Sequence, residues 1–507
     1  MGLVARLVGD RVAAEQGDHV ALTDETVGAV TYRGLHDATR RYATRLRRGG
    51  CVLGTRGLVV SDDSAGAVLA CLALWANGCV AVPVSPMLTD EEIAFIARDS
   101  AATLVHFGVP ESRRRALRAL IGDGPTVFTA EQANEAFDAS SARDGEVAAY
   151  GEEESGEQEV LLQYTSGSTG RPKGVRQSLR GLLAVIDGFG RGVPLRSGDR
   201  VLSTAKLSFG YGFGSSLLCP LAAGAHAVLL SGPVDVHTLI AALRRHRPTV
   251  LCTVPRMYAL LAEHARDRSD LATLRLGLSA GEHLPDELST RFTTRFGTRL
   301  VDALGATEAG HIVLVADEGP GRGAVAVPGV TATVRDEAGR IVPAGEPGRL
   351  HVKGPSVALG YLDRPDQERE VFADGGVYTG DIVSRTPEGR LLYLCRADDL
   401  LNLGGFKVAP AEIEAVVGGV PGVARCAVVA DADEAGLARA VAYVVPGPGG
   451  AEDELGRAVR AAIRERLAAY KRPAQVLGEP RRRPLVELLQ RAPVVAGALR
   501  RDRVDQR

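Results

Sequence analysis

Short apolar runs alternate with stretches of helical period along most of the chain, up to about residue 395. "VLLQY" (160–164) and "GVRQS" (174–178) read as strands, and "LRGLLAVIDGF" (179–189) reads as the helix that follows them. The most apolar run, "AGAVLACLALWANGCVAVPV" (65–84), carries Asn77, Gly78 and Pro83, so it predicts a buried helix running into a strand rather than a membrane span. "VRDEAGRIVPAGEPGRLHVKG" (334–354) has strand–turn–strand texture and predicts a small β-subdomain, while the acidic stretch 140–159 predicts a mobile connection. After Arg396 the pattern restarts with "EIEAVVGGVPGVARCAVVADAD" and "ARAVAYVVPG", which suits a compact α+β unit. The expected fold class is therefore α/β: a large portion of several subdomains over 1–396 and a small α+β domain over 397–507.

Composition narrows the function classes. With 507 residues, 45% of them hydrophobic and 24% charged, the chain reads as a soluble globular protein of at least two domains. A net charge of −2 gives no electrostatic case for nucleic acid or an anionic membrane as a partner. The seven cysteines, at 51, 71, 79, 219, 252, 395 and 426, form no CxxC pair, so reduced thiols in a cytoplasm are expected rather than a disulfide framework or a zinc site. The first residues, "MGLVARLVGDR", reach charge too early for a secretory leader, which points the same way. The oligomeric state is left open, a dimer included.

The loop between the two strands at 160–178 holds the first candidate chemistry. "YTSGSTGRPKG" gathers Thr165, Ser166, Ser168 and Thr169 among Gly167, Gly170 and Gly174, with Lys173 behind them. Glycines let backbone N–H groups turn toward an anion, hydroxyls donate and an ammonium adds charge, so the loop suits phosphate. It is not the Walker type, because Pro172 stands where that loop needs its second glycine. Of the 60 basic residues only Lys173, Lys206, Lys353, Lys407 and Lys471 are lysine. In a chain that uses arginine wherever charge alone matters, these five are expected at special positions.

Taken in order, "YTSGSTGRPKG", "LGATE" (304–308), "YTGD" (378–381) and "CRADDLLNLGGFKVAPAEIE" (395–414) resemble the motifs of the adenylate-forming superfamily of acyl-CoA synthetases, peptide-synthetase adenylation domains and luciferases. "AVPVSPMLTDEEIAFIARDSAATLV" is similar to an early motif of that superfamily, so the resemblance runs through most of the chain. It implies ATP-dependent activation of a carboxylate as a mixed anhydride with AMP, then transfer of the acyl group. Such chemistry needs positioning and charge stabilisation more than a covalent nucleophile. It further implies that Thr165, Ser166, Gly167, Ser168, Thr169, Gly170 and Lys173 hold the β- and γ-phosphates, and that Thr307 touches the α-phosphate. Glu308 would ligate Mg²⁺, a hard cation that wants oxygen ligands. Ala280, Gly281 and Glu282 would line the adenine with Asp302 near its amino group, and Asp381 with Arg396 would take the ribose. Asp398 falls where the superfamily places its hinge. The small domain would swing about it and present Gly404, Gly405 and Lys407 for thioester formation.

Leu304 replaces the aromatic residue that usually precedes this glycine motif. An aliphatic residue there is similar to benzoate-CoA ligase-like members, as are "AKLSFGYGFGSSLLCPLAAGA" (205–225) and "TEAGHIVLVAD" (307–317). Phe209, Tyr211, Phe213 and His311 would then wall a flat pocket for an aryl acid, benzoate- or cinnamate-like, with CoA as acceptor. Core packing is the competing reading for each of these aromatics. A carrier-protein thiol, an amine or diazotase-like activation of nitrite are the alternatives to CoA. One departure stands out, since the superfamily's C-terminal domain ends with a Gly-Lys pair and no lysine follows Lys471 here. A frame change, replacement by an arginine such as Arg491, and slow adenylation or a non-catalytic relic are the three readings of that departure.

Overall fold

The computed structural model describes residues 2–138, 156–165, 172–265, 268–316, 323–397, 401–403, 406–408, 410–432, 438–447, 452–467 and 471–477. They divide into two compact units. One comprises 1–335, 351–379 and 386–392, and the other 336–350, 380–385 and 393–507.

The first unit is built on two sheets. A seven-stranded sheet runs in the order Gly360–Tyr361, Lys173–Ser178, Glu159–Thr165, Val80–Val84, Arg56–Ser61, Leu104–Gly108, Thr126–Thr129. Its middle is parallel, and all five residues of Val80–Val84 are buried, as expected of a strand covered on both faces. A second run of strands has the order Ala324–Ala326, Ile312–Ala316, Arg299–Gly305, Leu276–Ser279, Val250–Thr253, Arg200–Ser203, His226–Val228, Val20–Asp24, Gly28–Thr31. The stretch 65–84 forms the helix Ala65–Ala76, apolar on every side and buried at all twelve residues, and then a strand. In the last turn of that helix the Trp75 indole N–H donates to the Val160 carbonyl at 2.7 Å, which ties it to the strand before the glycine-rich loop. Helix starts follow side-chain chemistry: Ser64 and Ser178 each accept the backbone N–H three residues on, and Thr89 with Glu92 forms a capping box. No helix among the described residues is long and apolar enough to cross a membrane.

In the second unit, strands Val423–Ala432 and Ala438–Pro446 pair antiparallel, and Gln475–Leu477 adds to them in parallel. Helices Pro410–Gly418 and Glu452–Arg466 supply Ile413, Val417, Val459 and Ile463 to a core with Val428, Ala442 and Val444. The α/β class and the small α+β domain are thus present as the patterning predicts. Strands also form at Thr331–Arg335 and Pro347–Lys353, where strand–turn–strand texture stood. Most of the acidic connection lies outside the described residues.

Candidate active site

The loop residues Ser166, Gly167, Ser168, Thr169 and Gly170 lie outside the described residues, but both of their anchors are described. Glu159–Thr165 and Lys173–Ser178 form an antiparallel pair with Thr165 in register with Lys173. At the far end of this hairpin the Glu159 carboxylate accepts from Arg56 Nε at 3.0 Å and from Arg176 Nε at 2.7 Å. Nearer the loop, the Tyr164 hydroxyl donates to Asp99 at 2.8 Å, and the other Asp99 oxygen accepts from Arg364 at 2.7 Å.

Lys173 and Glu308, far apart in the chain, meet through Tyr361. The ammonium of Lys173 lies 5.6 Å from the centroid of the Tyr361 ring, and the Tyr361 hydroxyl donates to Glu308 Oε1 at 2.7 Å. The backbone reinforces this: Ala358 N donates to the Glu308 carbonyl at 2.9 Å and Leu362 N to the Gly174 carbonyl at 2.8 Å. Sequence patterning assigns Tyr361 no role, although it closes the segment "VKGPSVALGY" (352–361) beside Lys353.

Thr307 opens a short 3₁₀ turn, and its carbonyl accepts from Gln177 Nε2 at 2.6 Å. A Cβ on Gly210 would lie 3.4 Å from Thr307 Oγ1 and 3.7 Å from Gln163 Oε1, so these two groups flank the same backbone position at ordinary contact distance. Gln163 is 2% exposed, and its Nε2 has no partner among the described residues. Both glutamines are buried; Gln163 interrupts the apolar run of Glu159–Thr165, and that interruption is the signal by which it could have been found, whereas the mostly polar Lys173–Ser178 gives none for Gln177.

His311 is buried with Nε2 3.3 Å from the Tyr211 carbonyl. A carbonyl only accepts, so the proton belongs on Nε2 and Nδ1 is left as an acceptor, without a partner among the described residues. Its ring stands edge-on to Phe189 at 4.9 Å and tilted to Tyr211 at 6.2 Å. A Cβ on Gly214 would come within 2.1 Å of Nε2, so this close approach requires glycine. Burial pushes the imidazole down to about 4, against the opposing hydrogen bond to Tyr211, and the ring is neutral at physiological pH. The Tyr211 hydroxyl donates to the Leu278 carbonyl at 2.8 Å. Phe213 is buried in the core, edge-on to Trp75 at 5.9 Å, whereas Phe209 is 49% exposed.

Ala280 is buried at the end of strand Leu276–Ser279, Gly281 follows at φ 89° and Glu282 is exposed. Asp302 stands in register with Ser279, and burial raises its carboxyl to about 7 although the Ala303 and Leu284 amides pull the other way. In the second unit Arg396 Nη1 donates to Asp381 Oδ1 at 3.0 Å, beside Gly380 at φ 79°. Asp398, Gly404 and Gly405 lie outside the described residues, as does Arg491, and Lys407 is placed only by its backbone pairing opposite Asn402. Two of the five lysines hold structure: Lys206 donates to the Leu230 carbonyl at 2.7 Å and pairs with Asp62 at 2.9 Å, and Lys471 pairs with Glu412.

The family model described as AMP-binding enzyme matches residues 9–362, and the model for the AMP-binding enzyme C-terminal domain matches 412–479. The chain belongs to the AMP-binding enzyme family. Within it, the chain is 30% identical to a 3-hydroxybenzoate–CoA/4-hydroxybenzoate–CoA ligase of Thauera aromatica, over 94% of this chain and 93% of that protein. It is 32% identical to a benzoate–CoA ligase of the same organism, over 92% of this chain and 90% of the relative. A benzoate CoA ligase structure from Burkholderia xenovorans LB400 superposes with a TM-score of 0.80 at 31% identity, covering 94% of this chain and 96% of that one.

For this AMP-binding enzyme the donor set also bears on a metal. No group of three or more His, Cys, Asp or Glu among the described residues could hold an ion alone. Glu308 fits the other arrangement, in which a small hard cation takes one carboxylate and draws its remaining ligands from phosphates and water. One of its oxygens is taken by Tyr361, and the second has no hydrogen-bond partner among the described residues.

Proposed function

We propose that this AMP-binding enzyme joins a small aryl carboxylic acid to AMP from ATP, releases pyrophosphate and passes the acyl group to CoA. The observation that carries the reading is similarity along most of the chain to hydroxybenzoate and benzoate ligases, in a chain where His311, a few residues after Thr307 and Glu308, lies against the Tyr211 ring. Lys173 and the loop hydroxyls hold the outer phosphates, Thr307 the α-phosphate, and Asp381 with Arg396 the ribose. Mg²⁺ on Glu308 would supply neutralising charge at the phosphates. Ala280, Gly281 and Asp302 face the adenine, and Phe209, Tyr211 and His311 face the acid. The division at 396/397, with rotation about Asp398 bringing Gly404, Gly405 and Lys407 into use, belongs to the same proposal. Seven free cysteines suit a reducing cytoplasm.

ATP–pyrophosphate exchange across substituted benzoates and cinnamates, followed by product analysis with and without CoA, tests it. Exchange with fatty or amino acids alone would remove the aryl assignment, and acyl transfer only to a carrier protein or amine would remove CoA. A second reading rests on the absence of lysine after Lys471. It holds that the adenylate forms slowly while a supplied acyl-adenylate is still converted to thioester. Losing one transition-state contact of that kind costs about 3–4 kcal/mol, two to three orders of magnitude in rate.

A further inference from the structure

We infer that Tyr361 is a positioning residue that sets Lys173 and Glu308 against one nucleotide, its ring serving the first and its hydroxyl the second. The inference rests on the nucleotide reading above. Tyr361 is 5% exposed and fixed from three sides. Its backbone pairs with Val175 on the strand that Lys173 begins, its N–H donates to Glu368 Oε2 at 2.9 Å, and its ring stands edge-on to Phe372 at 5.3 Å. A side chain so held has no freedom to follow its neighbours, so the neighbours take their places from it.

The two contacts do different things. The π-face offers the ammonium an attractive surface that does not neutralise it, so the charge remains available to phosphate. The hydroxyl at 2.7 Å occupies Glu308 Oε1 and fixes the carboxylate's rotation, leaving Oε2 as the oxygen for a metal–phosphate unit. Among the described residues, neither Lys173 nor Glu308 makes another side-chain hydrogen bond, ion pair or ring contact that would orient it.

Two full-length variants separate the contacts. Tyr361→Phe keeps the ring and removes the hydroxyl, and Tyr361→Leu removes both. The readouts are binding of β,γ-methylene-ATP in EDTA, which reports the lysine side, and Mn²⁺ affinity of the same complex by electron paramagnetic resonance, which reports the carboxylate side. Thermal midpoints are measured alongside. Tyr361→Phe should bind metal-free nucleotide like the parent and lose roughly tenfold in Mn²⁺ affinity, the scale of a lost hydrogen bond to a charged group. Tyr361→Leu should lose both. The inference is overturned if Tyr361→Phe holds Mn²⁺ as well as or better than the parent, if it loses both affinities together, or if it fails to fold. None of these readouts involves the acid, so a wrong aryl assignment would show in the exchange assay and leave this comparison intact.

Discussion

A neutral imidazole whose only N–H faces a backbone carbonyl is poorly placed to shuttle protons, so the proposed role of His311 in the acid pocket rests on shape and on the acceptor at Nδ1. On the proposed reading, Lys173 and Glu308 carry charge to the phosphates instead. Lys173→Ala should lower pyrophosphate exchange by about two orders of magnitude with the fold retained, and Glu308→Gln should lower it further, because it weakens the carboxylate assigned to the metal. If both variants release AMP like the parent, the site is misplaced. The aromatic pair Phe209 and Phe213 behaves differently. Phe213→Ala should cost about 3–4 kcal/mol in urea unfolding, because it empties a core position beside Trp75, while Phe209→Ala should leave stability within about 0.5 kcal/mol. Equal costs would mean that the partition between core and surface is wrong.

At the level of elements, the hairpin that carries the loop is held from below by Glu159 between two guanidinium groups and from the side by Asp99. Glu159→Ala leaves Arg56 and Arg176 facing each other without their carboxylate and should cost about 2 kcal/mol, with KM for ATP rising as the strand pair loosens. An unchanged KM beside lost stability would place the clamp outside the nucleotide site. The two strands and the helix within 159–192 were legible because each follows a local signal, such as an apolar run or a serine cap. Tyr361 was not, because its importance comes from meeting Glu308 across 53 residues of sequence and Lys173 across a strand pairing, and no local period encodes either. The same holds for Phe213, where a glycine–aromatic repeat suggests a pocket wall and only the packing on Trp75 shows a core residue. Lysine scarcity pointed to Lys173 but could not separate it from Lys206, which secures Asp62 and a backbone carbonyl.

For the whole molecule, stability against pH follows from groups buried in one protonation state. Burial pushes His106, His226 and His311 down to about 4, and it lowers His246 and His351 as well. Unfolded histidines bind protons near pH 6.5, so acidification from there toward 4 favours the unfolded chain. Asp63 and Asp302, raised to about 7 by burial, act in the opposite sense, since the folded state takes up their protons first as pH falls from 7. The histidines outnumber them. The thermal midpoint should therefore decline between pH 6.5 and 4, and Asp302→Asn, which removes one compensating group, should steepen that decline in a calorimetric series. A shallower slope in the variant would reverse the assignment. The seven-stranded sheet has a further consequence at this scale. Its loop-bearing side ends in the two-residue strand Gly360–Tyr361, whose amide at Tyr361 is capped by the Glu368 carboxylate. An edge that short, with its donor already taken, offers another chain almost nothing to zip onto. The hairpin behind it can therefore afford a run as β-prone as "VLLQYT" without inviting self-association when many copies crowd together.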